Sequence, residues 1–151
     1  MKIFALLDSN VVIAAVAQAH EHHPSSLALF TDHDPAAFAI AAHSYAEAYN
    51  TLTRRDDRAP FQRTPREAWA ALESLRAVTA LVGLTPARTF DTVRDFANGG
   101  GVGARLYDRL IGETAVAESI SAILTWNVSH MRSLFPGLEV HTPAEFHAAH
   151  G

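Results

Sequence analysis

Short apolar runs alternate with helix-like segments along the chain, and this alternation is the strongest constraint on its fold. Runs of this length, bounded by polar and turn residues, are typical of buried strands. Strands that alternate with helices imply right-handed crossovers, and hence a parallel sheet with helices on both faces. We predict strands at Ile3–Leu7, Ala37–Ala41, Thr79–Leu84 and Ser121–Thr125, with Leu138–Val140 as an edge strand. The expected fold is a single α/β domain over residues 1–151, a three-layer α/β/α sandwich with a central parallel sheet.

Capping residues mark several helix starts between the predicted strands. Thr64 to Glu67 and Thr142 to Glu145 have the spacing of a capping box, each with proline at the first helical position. Ser44 to Glu47 has the same spacing and predicts a helix that runs to about Arg55. Three aromatic residues on the later helices fall at core-facing positions, and we expect them to be buried: Trp69, Phe90 and Phe96.

The composition predicts a folded protein and excludes several classes of chemistry. The chain of 151 residues is 48% hydrophobic and only 19% charged, which argues against disorder. It has no cysteine, which excludes disulfides, thiolate zinc sites, iron–sulfur clusters and cysteine nucleophiles. The net charge of −4 provides no general basic surface for nucleic acid, although the charge of a local groove matters more than the total.

The sequence contains no long apolar segment. No run approaches the ~18 residues that a membrane span needs, so we expect no association with a membrane. The apolar stretch that begins after Lys2 stops at Asp8, which makes it shorter than the ~7 residues of a signal-peptide core. We therefore expect a cytoplasmic protein.

Polar residues follow several of the predicted strands, where sites form in parallel α/β sheets. Asp8 follows the first strand, Glu47 lies in the first turn after the second, and Asn127 follows the fourth. Asp108 lies early in the helix that precedes the fourth strand. Because like charges at one edge repel each other, a cation is needed to hold these acids together. Carboxylate oxygens suit Mg²⁺ or Mn²⁺, whose usual chemistry here is phosphoryl or phosphodiester transfer.

Each of these residues also has a purely structural interpretation. Asp8 is well placed to cap the first helix, and Glu47 to complete a capping box with Ser44. Asp108 can stabilise a helix dipole, and Asn127 can be a turn residue. Spacing alone leaves the structural and the functional interpretations open.

Four motifs, in order, resemble those of PIN-domain ribonucleases, of the kind found as VapC-type toxins in bacterial toxin–antitoxin pairs. The first motif joins an apolar strand to an aspartate, a small hydroxyl residue, an asparagine and an apolar helix, and the second and third each contain an acid. The resemblance covers nearly the whole chain, including a strand-to-helix ending. The matching segments are Leu6–Ile13, Ser44–Asn50, Gly103–Ile111, Ile123–Asn127 and Thr142–Phe146.

The resemblance implies an endoribonuclease that depends on Mg²⁺ or Mn²⁺, forms a homodimer and is inhibited by a small antitoxin encoded beside it. Asp8 and Asp108 would ligate the metal, and Glu47 would bind it or a water in its shell. The fourth motif often carries aspartate where this chain has Asn127. An amide can support the attacking water or a second ion, but it adds no charge.

Residues around the acids are expected to support the metal and the RNA. Thr125 is expected to orient Asp8 or a bound water, with Asn10 beside it. RNA needs local positive charge, because the chain is acidic overall. The arginine candidates are Arg105 and Arg109, which flank Asp108 on one helix, and Arg54, Arg55, Arg58 and Arg63 in the polar loop 54–63. A solvated loop, partly neutralised by its own aspartates, is the alternative for the second group.

Two further features have more than one interpretation. His20, His22 and His23 form a dense cluster, which we expect in a loop away from the site rather than at a functional metal centre. Trp126 comes directly after Thr125, where it either stacks on a base or packs in the core.

Two other functions compete with the nuclease. One is a catalytically silent PIN-like domain that binds RNA or a protein partner. The other is a metal-dependent phosphatase, which is disfavoured because the segment after Asp8 lacks a second aspartate and Lys2 is the single lysine of the sequence.

Overall fold

A computed structural model describes residues 2–151, and in this range five short strands form one parallel sheet. The strands are β1 (Ala5–Leu7), β2 (Phe38–Ala41), β3 (Ala80–Val82), β4 (Ala122–Leu124) and β5 (Glu139–His141). Their order across the sheet is β3-β2-β1-β4-β5, and every neighbouring pair is parallel. The predicted strands are confirmed, including the edge strand. The expected domain start at residue 1 lies outside the described residues.

Helices cover both faces of this sheet. They are α1 (Ser9–Val16), α2 (His23–Thr31), α3 (Ala42–Thr53), α4 (Pro65–Val78), α5 (Pro86–Asn98), α6 (Arg105–Ala117), α7 (Val128–Leu134) and α8 (Pro143–His150), with a short 3-10 helix at Pro35–Ala37. One core lies between the sheet and α1, α2, α3, α4 and α8, and the other between the sheet and α6 and α7. Leu7 of β1 enters the first core and Leu6 the second. The three-layer α/β/α sandwich is therefore confirmed.

The predicted capping boxes at the starts of α4 and α8 are present, with reciprocal side-chain-to-backbone hydrogen bonds. They are formed by Thr64 with Glu67 and by Thr142 with Glu145. The third box, predicted from Ser44 to Glu47, is wrong, because α3 begins at Ala42, directly after β2. Ser44 consequently lies buried inside the helix, and the Glu47 carboxylate has no capping role.

The prediction of buried aromatic residues fails on the outer helices. Trp69 on α4 is 60% exposed and Phe90 on α5 is 74% exposed, so both predictions are wrong. Phe96 is half-buried and packs against Gly101 in the loop after α5. In residues 2–151, α5 packs mainly against α6 and no further layer covers it, so helical spacing alone does not bury its apolar side chains. None of the helices in this part of the chain combines the length and apolar character needed to cross a bilayer.

Candidate active site

Asp8 lies at the carboxyl end of β1, between the strand and α1. It is 4% exposed, and its Oδ1 accepts a hydrogen bond from the Ser9 backbone N–H at 2.7 Å. Its Oδ2 accepts one from the Thr125 hydroxyl at 2.9 Å. Thr125 follows β4, which pairs with β1, so the sheet itself brings the two residues together. Burial, reinforced by repulsion from Asp108, raises the pKa of Asp8 to about 6 against the opposing effect of its hydrogen bonds.

The Thr125 hydroxyl fixes the orientation of the Asp8 carboxylate. It accepts hydrogen bonds from the Asn10 side-chain amide at 3.1 Å and from the Asn127 backbone N–H at 3.0 Å. Asn10 is held in turn, because its Oδ1 accepts a bond from the Trp126 backbone N–H at 3.1 Å. The hydroxyl thus uses its donor and both acceptor positions, and Asp8 has one preferred orientation. The structure places Asn10 and Thr125 beside Asp8, and their contribution to chemistry stays a prediction.

Glu47 lies in the second turn of α3 and interacts with both aspartates. Burial, and then repulsion from Asp8 and Asp108, raises the pKa of Glu47 to about 7. A hydrogen bond with the Ser9 side chain acts in the opposite direction and lowers this pKa. Within residues 2–151, the buried Glu47 Oε1 has no hydrogen-bond partner. A buried oxygen without a donor marks a position where a water or a cation completes the contacts.

Asp108 lies in the first turn of α6, and its Oδ2 is 3.2 Å from His130 Nε2 on α7. Burial raises the pKa of Asp108, and the His130 and Arg105 side chains partly oppose this. Asp8, Glu47 and Asp108, which we call the acidic cluster, therefore come from three separate elements and repel one another electrostatically.

Two histidines that were not predicted from the sequence lie next to the acidic cluster. His130 lies in the first turn of the helix after β4, and His43 in the first turn of the helix after β2. His43 Nε2 lies 3.8 Å from Glu47 Oε1 and is likewise buried without a hydrogen-bond partner in the described residues. The positional rule that selects Asp8 and Glu47 also selects these histidines, because they lie in the first turns of the helices that follow β2 and β4.

The chemistry of the acidic cluster fits a hard divalent cation. Its donors are carboxylate oxygens, one of them is buried and unpaired, and each carboxylate has a raised pKa in the absence of a cation. No group of three or more His, Asp or Glu side chains in residues 2–151 is arranged to hold a metal ion by itself. Mg²⁺ is commonly held through one or two carboxylates with water completing its shell, so an open arrangement of this kind suits it.

The other residues predicted near Asp108 differ in where they lie. Asn127 is exposed at the start of α7, and its side chain makes no capping bond. Arg105 lies near enough to Asp108 to lower the pKa of that carboxyl group. Arg109 instead extends over the Phe135 ring, with its guanidinium carbon 5.5 Å from the ring centroid. Both arginines flank Asp108 on α6, as predicted, and their part in RNA binding stays a prediction.

The loop arginines lie at the far end of α3. Arg54 contacts Asp56 at 3.5 Å, and Arg55 donates to the Arg63 carbonyl at 3.2 Å. These contacts fold the loop on itself but leave its side chains largely exposed. Their part in RNA binding stays a prediction.

The histidine-rich turn is closer to the acidic cluster than we predicted. His22 stacks on Trp126, with ring centroids 3.9 Å apart and ring planes at 9°. The Trp126 backbone N–H donates a hydrogen bond to Asn10 Oδ1, and its indole N–H donates one to the Ser26 hydroxyl. The expectation that this turn lies away from the site is wrong, because Trp126 directly follows Thr125.

The PIN domain family model matches residues 5–128, which is most of the chain. The chain therefore belongs to the PIN domain family. The resemblance drawn from the four motifs is confirmed at this level. No curated protein matches the sequence of this chain.

Several solved structures share this fold at low sequence identity. VapC20 of Mycobacterium tuberculosis, described as a sarcin–ricin-loop-cleaving toxin, has a TM-score of 0.61 at 16% identity and covers 79% of this chain and 86% of its own. VapBC2 from Rickettsia felis, solved bound to a DNA fragment from its promoter, has a TM-score of 0.59 at 16% identity, with coverages of 91% and 97%. FitAcB from Neisseria gonorrhoeae has a TM-score of 0.58 at 16% identity, with coverages of 93% and 98%.

Proposed function

We propose that this protein is a metal-dependent endoribonuclease and the toxin of a toxin–antitoxin pair. The observation that carries the proposal is the acidic cluster, in which three carboxylates from separate elements repel one another and one buried oxygen lacks a donor. Membership of the PIN family and the likeness to VapC20, a sarcin–ricin-loop-cleaving toxin, support the same class of activity. The proposed cofactor is Mg²⁺ or Mn²⁺, and the proposed location is the cytoplasm.

The proposed roles follow from the contacts of each residue. Asp8, oriented by Thr125, and Asp108, contacted by His130, would hold the cation. When bound there, a divalent cation would supply a more acidic water and positive charge to offset the phosphodiester. Glu47 orients the attacking water, and the exposed Asn127 supports that water from the start of α7.

Hydrolysis then proceeds by in-line displacement at phosphorus. The oxygen of water forms a bond to phosphorus while the bond to the 3′ oxygen of the preceding nucleotide breaks. The departing oxygen takes up a proton, which leaves a 3′-hydroxyl on one fragment and a 5′-phosphate on the other.

The proposed partner is a small antitoxin that occupies the acidic cluster with a basic residue. VapBC2, solved bound to a DNA fragment from its promoter, and FitAcB resemble this chain in fold, and this likeness supports such a partner. A homodimer is proposed as the form that binds it. The acidic cluster offers a basic side chain the same charge complementarity that it offers a cation.

The test is cleavage of total cellular RNA by the purified protein in Mg²⁺ or Mn²⁺ and in EDTA. We expect discrete fragments that require the metal and are lost in Asp8→Asn. Asp91→Asn is the matched control, because Asp91 is an exposed aspartate on α5 that pairs with Arg94 at 3.3 Å. Both variants remove one negative charge by the same chemical change.

The outcomes separate the nuclease from its competitor. Metal-dependent cleavage by the wild type and by Asp91→Asn, but not by Asp8→Asn, supports the proposal. A folded wild-type protein that cuts no RNA in either metal contradicts it and favours a domain that binds RNA or a partner without catalysis. Equal cleavage by all three proteins places the activity outside the acidic cluster.

A further inference from the structure

Four aromatic rings form a continuous row that begins beside the acidic cluster. Trp126 and His22 are 3.9 Å apart and nearly parallel, and His22 and His20 are 5.7 Å apart at 40°. His20 and Phe61 follow at 6.3 Å, with ring planes at 17°. We call Trp126, His22, His20 and Phe61 the ring row. It connects the end of β4 with the turn before α2 and with the arginine loop before α4.

Hydrogen bonds hold two members of the ring row, His20 and Trp126, in place. His20 Nδ1 accepts a bond from the His22 backbone N–H at 3.0 Å, which fixes the ring of His20. The Trp126 indole N–H donates to Ser26 at 2.9 Å, and its backbone N–H donates to Asn10. Rings that are already ordered lose little conformational freedom on binding a planar ligand.

The outer half of the ring row lines a surface groove of about 580 Å³. Its lining includes Asn10, His20, Thr51 and Phe61, together with the acidic Glu21. Burial lowers the pKa of His20, so its ring presents a neutral aromatic face at neutral pH. The groove therefore joins an aromatic surface to Asn10, which donates a hydrogen bond to the Thr125 hydroxyl that orients Asp8.

Charge around the groove differs from the charge of the whole chain. The loop that contributes Phe61 to the groove, residues 54–63, carries four arginines and two aspartates, whereas the chain carries a net charge of −4. A polyanion with planar groups fits both features, because its phosphates match the arginines and its bases match the rings. The arginines of this loop are Arg54, Arg55, Arg58 and Arg63.

We infer that the ring row is a base-stacking subsite for single-stranded RNA. The nucleotides that adjoin the cleaved bond are guided along the groove by this subsite. This inference rests on the proposed nuclease function and names the form of its substrate. Unpaired bases can stack on aromatic side chains, whereas the bases of a duplex are already stacked on one another. The ring row thus selects single-stranded segments over duplex RNA.

The test measures binding of a fluorescently labelled, short single-stranded oligoadenylate in EDTA, where metal-dependent cleavage is prevented. Phe61→Leu keeps an apolar side chain but removes the ring, and His20→Leu does the same for the imidazole. We expect each change to weaken binding about 5- to 100-fold, the range for loss of one aromatic–base stack. Phe90→Leu is the matched control, because Phe90 is an exposed phenylalanine outside the ring row.

Two further measurements exclude an indirect effect on folding. Phe61→Trp restores an aromatic face and is expected to restore affinity, which a loss of packing alone does not explain. In a Trp69→Phe background, Trp126 is the remaining tryptophan, and its fluorescence is expected to change with oligoadenylate but not with inorganic polyphosphate.

Each outcome bears on the inference and separates it from the nuclease itself. Weaker binding by both leucine variants of the ring row, with Phe90→Leu unchanged, supports the subsite. Unchanged affinity in both variants overturns the RNA assignment in favour of a protein partner for this groove. Addition of excess Mn²⁺ to the same samples measures RNA cleavage independently of binding. A wild-type protein that binds RNA through the ring row but does not cut it overturns the proposed nuclease activity and leaves the subsite intact.

Discussion

Two clusters of titratable side chains in this fold differ in whether their polar atoms find partners. In the acidic cluster, burial raises the pKa of each carboxyl group, repulsion between the acids adds to this for Asp8 and Glu47, and a buried Glu47 oxygen has no donor among the described residues. Near the contact of α2 with α8, His33 and His147 instead join ring nitrogen to ring nitrogen at 2.8 Å. His147 Nε2 lies 2.8 Å from the Ser25 carbonyl oxygen, so both ring nitrogens of His147 have partners.

The two clusters differ in whether a ligand is needed to satisfy their polar atoms. If His147 donates from Nε2 to the carbonyl of Ser25, its Nδ1 accepts from His33, and both contacts are satisfied by neutral rings. The pair also packs edge-on and face-on with aromatic neighbours, including Phe146 at 5.0 Å from His33. The histidine pair is thus complete as a packing element, whereas the acidic cluster is stable only with a cation or with protonated carboxyl groups.

Among single substitutions near the two clusters, Thr125→Val should reduce function most. The change keeps the shape of the side chain and removes the hydroxyl that donates to Asp8. We expect RNA cleavage to fall about 10- to 100-fold, the usual cost of losing a group that orients a metal ligand. Thr125→Ser keeps the hydroxyl and should retain most of the activity, as measured by initial rates on a labelled RNA in Mn²⁺.

His147→Gln is the matched change in the histidine pair. It disturbs contacts of similar length, and we expect it to lower the melting temperature while leaving cleavage per folded molecule unchanged. Equal losses of activity from the two sites would break the distinction between them.

The next effect concerns the stability of the metal-free protein as a function of pH. The pKa values of Asp8 and Glu47 are raised to about 6 and about 7, so the folded state favours their neutral forms. The stabilisation is complete below the ordinary carboxyl range near pH 4, and it is lost as the pH rises through the two folded values. For Asp8 the expected loss is on the order of 3 kcal/mol in the free energy of unfolding.

Denaturant unfolding in EDTA between acidic and neutral pH measures this loss. Asp8→Asn should flatten the decline relative to Asp91→Asn, and Mn²⁺ should restore stability at neutral pH in the wild type but not in Asp8→Asn. Parallel curves for the two variants would contradict the raised pKa of Asp8.

The fold was predictable because apolar runs end in polar residues at the same edge of the sheet. Asp8 and Glu47 are predictable by this rule, whereas Asp108 lies on α6 before β4, and the structure brings all three together. The capping box at Ser44 was not a valid signal, because residue spacing alone does not tell whether β2 leads directly into α3. The position of Ser44 inside the helix depends on where the strand ends, which the sheet decides.

Other features depend on tertiary contacts that no local pattern contains. Phe61 and His20 meet across a long stretch of sequence, and neither residue carries a motif that predicts the contact. Phe90 has the spacing of a core residue, but burial requires a layer above it, and α5 has none in the described chain. Periodicity therefore identifies the apolar side of a helix without telling what covers it.

The smallest effect expected lies in the histidine pair and has the opposite sign to that of the acids. Burial, followed by repulsion from His147 and His150 and opposed by Asp32, lowers the pKa of His33. The folded state therefore favours neutral His33, and stability is complete above the ordinary pKa near 6.5 and declines as the pH falls below it. Solvent screening keeps this change below about 1 kcal/mol.

Thermal unfolding in EDTA should show a shallower decline at acidic pH for His33→Gln than for the wild type. Mn²⁺ should leave this acidic decline unaltered, since the histidine pair already satisfies its own nitrogens, and a metal-dependent change there would show that it is also an incomplete site.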